Sequence, residues 1–99
     1  MDIKLWIDDV RTPPDSTWDW VTTSDAAIAF LELMLDGGVD DWFRLEHVSF
    51  DHDLGGSDTT RPVVLWMIEK DVRFRRYSVH SANPVGKEWL SGMIQRYLM

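Results

Sequence analysis

The sequence predicts a small α/β fold: a mostly parallel sheet of four strands in spatial order 2-1-3-4, flanked by about three helices in three layers. Three observations carry this expectation. Short apolar runs alternate with stretches of helical periodicity, the pattern of a mainly parallel sheet with helices packed on its faces. The chain has 99 residues, which suits one domain spanning residues 1–99 with a modest core. Three of the apolar runs end directly in charged loops, where open parallel sheets hold their ligands.

Each element has a local reason. Ile3 to Ile7 is an apolar run closed by Asp8-Asp9 and reads as a buried strand. Residues 12–16, with Pro13 and Pro14, cannot be regular structure, because proline fixes φ and removes a donor. Trp18 to Thr22 reads as the second strand. Residues 8–17 are few for a parallel crossover and hold no helix, so this strand is either parallel or an irregular or antiparallel edge. Thr23 or Ser24 then caps a helix, with Ala27, Phe30, Leu31, Met34 and Leu35 on one face and Gly37-Gly38 as its stop. Residues 39–46 read as a loop with a short turn.

His47 to Phe50 is the third strand, beside the first at the centre of the sheet. Gly55-Gly56-Ser57-Asp58 is a loop, and Pro62 suits the first turn of a helix reaching about Asp71. Tyr77 to Val79 is the last strand. Lys70, Arg73, Arg75 and Arg76 bracket the turn before it and read as a solvated group. Asn83-Pro84 reads as the N-cap and first position of the final helix. There Trp89, Leu90, Met93, Ile94, Tyr97 and Leu98 form one apolar stripe.

Composition narrows the function classes. The hydrophobic fraction is 44%, a globular value, and several of the six Trp are expected to pack in the core. A net charge of −7 disfavours general nucleic-acid binding, yet permits a small phosphate ligand where a bound cation inverts the local field. With no Cys, disulfides, zinc-thiolate sites and thiol catalysis are excluded. No signal-peptide pattern and no run of about 18 apolar residues occur, so no membrane partner and a cytoplasmic location are expected.

The chemistry gathers at the three charged ends. Asp8 and Asp9 are adjacent carboxylates that need a cation or a basic partner; the alternative is a capped turn paired with Arg11. Asp51 and Asp53 are two apart and would point the same way on an extended backbone. The four acids together make one candidate site for Mg²⁺ or Mn²⁺. Arg11 suits a bidentate grip on phosphate or neutralisation of the acid pair. His80 suits proton transfer near neutral pH, with a hydrogen bond to a carboxylate as the alternative. His52 is a further candidate, set against a role facing a helix. Ser81 is read as a hydrogen-bond donor, and Asn83 as a cap beside a helix N-terminus that favours anions. Asp36, Asp40 and Asp41 lack metal-loop spacing. No phosphate-binding glycine loop or dinucleotide fingerprint is present.

These residues carry a resemblance. Leu5-Trp6-Ile7-Asp8-Asp9-Val10-Arg11-Thr12-Pro13, Ser49-Phe50-Asp51-His52-Asp53-Leu54-Gly55 and Val79-His80-Ser81-Ala82-Asn83-Pro84-Val85-Gly86 resemble the cyclic-phosphate-processing receiver-like family. This is a divergent offshoot, in bacteria and phages, of response-regulator receivers. The resemblance implies a receiver-like, flavodoxin-like fold over about residues 3–97. It implies an acidic pocket of Asp8, Asp9, Asp51 and Asp53, with Arg11, His80, Ser81 and Asn83 around the phosphate. The chain departs from ordinary receivers: the helix between strands one and two is missing, as is the last strand with its Lys-Pro ending. Lys87 falls at the start of a helix instead.

The function expected is metal-dependent processing of a cyclic or terminal phosphate ester, on a small phosphorylated ligand, a nucleotide or an RNA end. Asp51 would hold the metal or act as base, and His80 would protonate the leaving oxygen. The alternatives are a binding module that senses a phosphorylated nucleotide, and a protein-interaction domain of phage or bacterial origin, located in the host cytoplasm if phage-encoded.

Overall fold

The computed structural model describes residues 2–36 and 44–99. The elements run β1 (Ile3–Ile7), β2 (Trp18–Val21), α1 (Ser24–Asp36), β3 (Leu45–Phe50), α2 (Arg61–Glu69), β4 (Arg76–Val79) and α3 (Pro84–Tyr97). The sheet order is β2-β1-β3-β4, and every neighbouring pair is parallel. The glycine stop expected at Gly37-Gly38 and the loop expected over residues 39–43 lie outside the described residues.

The doubt over the second strand resolves in favour of parallel pairing, with Lys4 opposite Trp18 and Ile7 opposite Val21. The short crossover works because side chains fold it. Asp8 Oδ1 accepts the N–H groups of Val10 and Arg11, at 2.9 and 3.0 Å. The Trp6 indole N–H donates to the Arg11 carbonyl at 2.8 Å, and that of Trp20 to the Asp8 carbonyl at 2.7 Å. Asp15 caps the turn at Thr17 through its backbone N–H and its hydroxyl.

β3 starts two residues earlier than the sequence predicts. Its register against β1 shifts between Ile3 and Lys4, which leaves Glu46 as an extra residue. Glu46 pairs with Arg76 at 2.9 Å and Arg75 at 3.4 Å, so those two arginines hold a carboxylate.

The layering differs from three layers. Leu5, Ile7, Val48 and Phe50 lie on one sheet face and join a single apolar cluster with Leu31, Val64, Met67, Leu90 and Ile94 from all three helices. Tyr77, on that same face, accepts a hydrogen bond from Gln95 of α3. Handedness explains the one-sidedness. The β2-to-β3 and β3-to-β4 connections move across the sheet in the same direction, and right-handed crossovers then put both helices on one face. The connection that moves the other way, from β1 to β2, has no helix. The opposite face therefore carries Lys4, Trp6, Trp18, Trp20, His47, Ser49 and Ser78, packed largely on one another.

The tryptophans divide between the two faces of the sheet. Trp6 is buried but belongs to the polar face, Trp66 and Trp89 flank the apolar cluster, and Trp20 is 44% exposed. The caps follow local chemistry. Thr23 Oγ1 accepts the Ala26 N–H and caps α1, while Ser24 is tied instead to Asp58. Asn83 Oδ1 accepts the Gly86 N–H and caps α3. Along α3, Leu90, Ile94 and Leu98 are buried, whereas Tyr97 stands half exposed.

Candidate functional site

The carboxyl ends of β1, β3 and β4 meet in an open cleft of about 230 Å³. Asp8, Asp9, Arg11, Asp51, Asp53, Ser81 and Asn83 all line it, together with Val10 and Ala82. A larger groove on the outer side of α3 has Glu88 as its one acid and lies apart from this cluster.

Asp8, Asp9 and Asp51 converge. Each offers a carboxylate oxygen, and the three atoms lie within 4.8 Å of one another. Adjacent, parallel β1 and β3 bring the ends together, with the Asp51 N–H donating to the Ile7 carbonyl at 2.9 Å. Asp9 depends on Gly55: with φ at +93°, any Cβ there would sit 2.9 Å from Asp9 Oδ2.

The electrostatics of this cluster favour a cation. Burial and the nearby charge of Asp8 push Asp51 above the usual carboxylate range, against His80, the His52 N–H and Ser81. Burial works against Asp8 as well, but the Val10 and Arg11 N–H donors and His80 outweigh it, and Asp8 stays below the usual range. A group of hard oxygen donors, one of them burdened by its neighbour's charge, fits a small divalent cation.

Asp53 stands outside this group. Its carboxylate accepts from His52 Nδ1 at 2.8 Å and from the Asn83 side-chain amide at 3.2 Å. Those two contacts hold its pKa below the usual range. The chain bends at His52, so Asp51 and Asp53 do not share the alignment an extended strand would give them. His52 itself is buried against α3. Its Nε2 accepts from Arg61 Nε at 2.9 Å, which leaves Nδ1 as the protonated nitrogen facing Asp53.

Arg11 lies at the rim and donates through Nη1 to the His80 carbonyl at 2.8 Å. Its backbone is fixed by Asp8 and Trp6, so the guanidinium is anchored while its other N–H groups remain as donors. Ser81 acts on Asp51 to favour its charged form and accepts the Asn83 N–H at 3.1 Å. Asn83 caps α3 and bridges to Asp53, so it sits at the helix N-terminus as expected.

Of the two readings of His80, the structure shows the hydrogen bond to a carboxylate. Its Nε2 is 2.9 Å from Asp8 Oδ2 and its Nδ1 is 2.7 Å from Ser49 Oγ, so both ring nitrogens are engaged. The ring stacks on Trp6, with centroids 4.0 Å apart and planes 8° from parallel. Burial lowers its pKa, and Asp8 and Asp51 oppose that shift. These contacts and the stacking hold the ring against Asp8.

Trp6, Ser49 and Ser78 escaped the sequence reading. All three lie at alternate strand positions on the polar face, a placement that the sequence leaves open. The one available signal is the polar Ser49 directly between the apolar Val48 and Phe50.

Comparison with known proteins adds one result. The chain matches the family model for the cyclic-phosphate processing receiver domain over residues 3–96. No curated protein and no solved structure matches it. Among the described residues, no helix is long and apolar enough to cross a membrane. The match spans nearly the whole chain and takes in all three charged strand ends, so this chain belongs to the cyclic-phosphate processing receiver domain family.

Proposed function

We propose that this domain processes a phosphate ester at the cleft above β1, β3 and β4, with Mg²⁺ or Mn²⁺ held by Asp8, Asp9 and Asp51. The observation that supports it is the convergence of those three carboxylates beside an anchored arginine and a helix N-terminus. A cation bound there supplies charge neutralisation at the phosphoryl oxygen. Arg11 grips a further phosphate oxygen, and the N-terminal turn of α3 favours the anion beside Ser81 and Asn83. Asp51 either shares the cation or accepts a proton from an attacking water; its raised pKa suits a base better than an ordinary carboxylate would. His80 acts through Asp8, in place of the acid role first expected of it.

A second reading is a phosphate- or nucleotide-binding module without turnover. It is favoured by the engagement of both His80 ring nitrogens, which leaves no histidine lining the cleft. One experiment separates the two. Hydrolysis of 2′,3′-cyclic nucleotides, cyclic mononucleotides and an aryl phosphodiester is measured with Mg²⁺, Mn²⁺ or chelator, alongside thermal shift with the same ligands. The enzyme reading expects metal-dependent turnover that falls at least about 100-fold in Asp51→Asn, in line with loss of a general base. Ligand-dependent stabilisation without product selects the binding module.

A further inference from the structure

On the face without helices, five side chains form an unbroken hydrogen-bonded chain. Asp8 Oδ2 lies 2.9 Å from His80 Nε2, and His80 Nδ1 lies 2.7 Å from Ser49 Oγ. Ser49 Oγ lies 2.8 Å from Ser78 Oγ, which lies 3.0 Å from His47 Nε2. Ser49 is 1% exposed, so its hydroxyl has no competing water. Register explains the assembly: Trp6, Ser49 and Ser78 lie across from one another on three adjacent strands, and His47 precedes Ser49 by two on the same face.

The carboxylate end fixes the direction of every bond. An ionised Asp8 only accepts, so His80 Nε2 must donate. A neutral His80 then accepts at Nδ1, and Ser49 must donate to it. Ser49 in turn accepts from Ser78, and Ser78 accepts from a protonated His47 Nε2. Each of the four members behind Asp8 donates once along the chain and all bonds point toward Asp8, an arrangement in which successive hydrogen bonds polarise one another. Asp8 has four acceptor positions, of which Val10, Arg11 and His80 take three. One remains, on Oδ2.

We infer that Ser49, backed by Ser78 and His47, is a positioning residue: by donating to Nδ1 it reinforces the Nε2–H form of His80 that Asp8 requires, and so aims the last acceptor position of Asp8 into the acidic cluster. The inference rests on the reading that Asp8 is a cation ligand. Outer partners of this kind orient ligating groups and carry part of the metal affinity. Trp6 restrains the same imidazole by stacking and also holds the Arg11 carbonyl, which ties the cation side of the cleft to its phosphate side.

The test uses the full chain. Mg²⁺ affinity is measured by calorimetry, and the His80 tautomer by ¹⁵N chemical shifts of the imidazole, in wild type, Ser49→Ala, Ser49→Thr and Ser78→Ala. The expected result is an Nε2–H tautomer in wild type and a Kd for Mg²⁺ on the order of tenfold weaker in Ser49→Ala, with a mixed His80 tautomer. Ser49→Thr keeps the hydroxyl and restores both. Ser78→Ala, which leaves Ser49 in place, gives a smaller change in the same direction. An unchanged Kd in folded Ser49→Ala, or an Nδ1–H tautomer in wild type, overturns the inference and leaves the metal reading standing. A wild-type protein that takes up neither Mg²⁺ nor Mn²⁺ overturns the metal reading and this role with it.

Discussion

Asp71 occupies a backbone position that glycine usually fills. Its φ is +56°, just past the C-cap Lys70 of α2. The Asp71 N–H bonds to the Ile68 carbonyl and the Val72 N–H to the Met67 carbonyl, the paired closure of a left-handed helix stop. Val72 is fully buried and anchors the turn. Asp tolerates this conformation at a cost that glycine avoids, and its exposed pairing with Arg73 returns little. Asp71→Gly is expected to stabilise the protein by about 1 kcal/mol in denaturant unfolding. The sequence ends this helix near Asp71 correctly but gives no hint of the left-handed residue, because only the packing of Val72 against the core forces the chain to turn there. The same limit applies at His80. Its residue type allows either acid–base work or a hydrogen bond to a carboxylate, and only the fold shows that its partners are Asp8 and Ser49.

At the scale of the element, α3 holds two glycines with opposite roles. A Cβ on Gly86 would lie 2.3 Å from His52 Cγ and 2.6 Å from Nδ1, and that ring is pinned by Arg61 and Asp53. A Cβ on Gly92 meets nothing within 4 Å. Gly86→Ala is therefore expected to cost about 1–3 kcal/mol through overpacking. Gly92→Ala is expected to gain about 0.5–1 kcal/mol from helix propensity. Chemical denaturation of the two variants checks both signs. From sequence, the start of α3 is legible because Asn83 and Pro84 act locally. Its stripe is legible except at its end: Leu90, Ile94 and Leu98 join the core, Trp89 and Met93 pack against it, and Tyr97 stands half exposed.

Among the described residues, the molecule is a sheet with one layer of helices and one polar, aromatic face. That face makes the fold sensitive to acid. Burial lowers the pKa of His47, with Arg76 and Lys4 adding to it, and burial also lowers that of His80. Both lie below 6.5 in the folded protein and near that value when unfolded, so the unfolded chain binds more protons between the two values. Stability is therefore complete above about pH 6.5 and falls as pH drops through it toward the folded values. Asp8 acts later, losing its contribution only as pH falls below 3.8. Asp51, raised above 3.8, has the opposite sign. The melting temperature is expected to be lower at pH 5.5 than at pH 7.5. His47→Gln, which keeps a donor toward Ser78 without a titrating ring, is expected to reduce the difference.

The sequence by itself determined the order of elements, the parallel pairing of β1, β3 and β4 by alternation, the 2-1-3-4 order and the caps at Asn83 and near Thr23, while the direction of β2 was left to the structure. It also placed the cleft residues at three strand ends. These follow from local rules: periodicity, proline and glycine chemistry, and the tendency of parallel sheets to bind ligands at their carboxyl ends. Tertiary structure alone decided that all three helices share one face, that Trp6 serves the polar face, and that Asp53 turns to His52 and Asn83 while Asp8, Asp9 and Asp51 converge. It alone joined Ser49, Ser78 and His47 behind His80. Those outcomes depend on strand register and crossover direction, which bring together residues about 30 to 70 positions apart, and no local pattern encodes a contact at that separation.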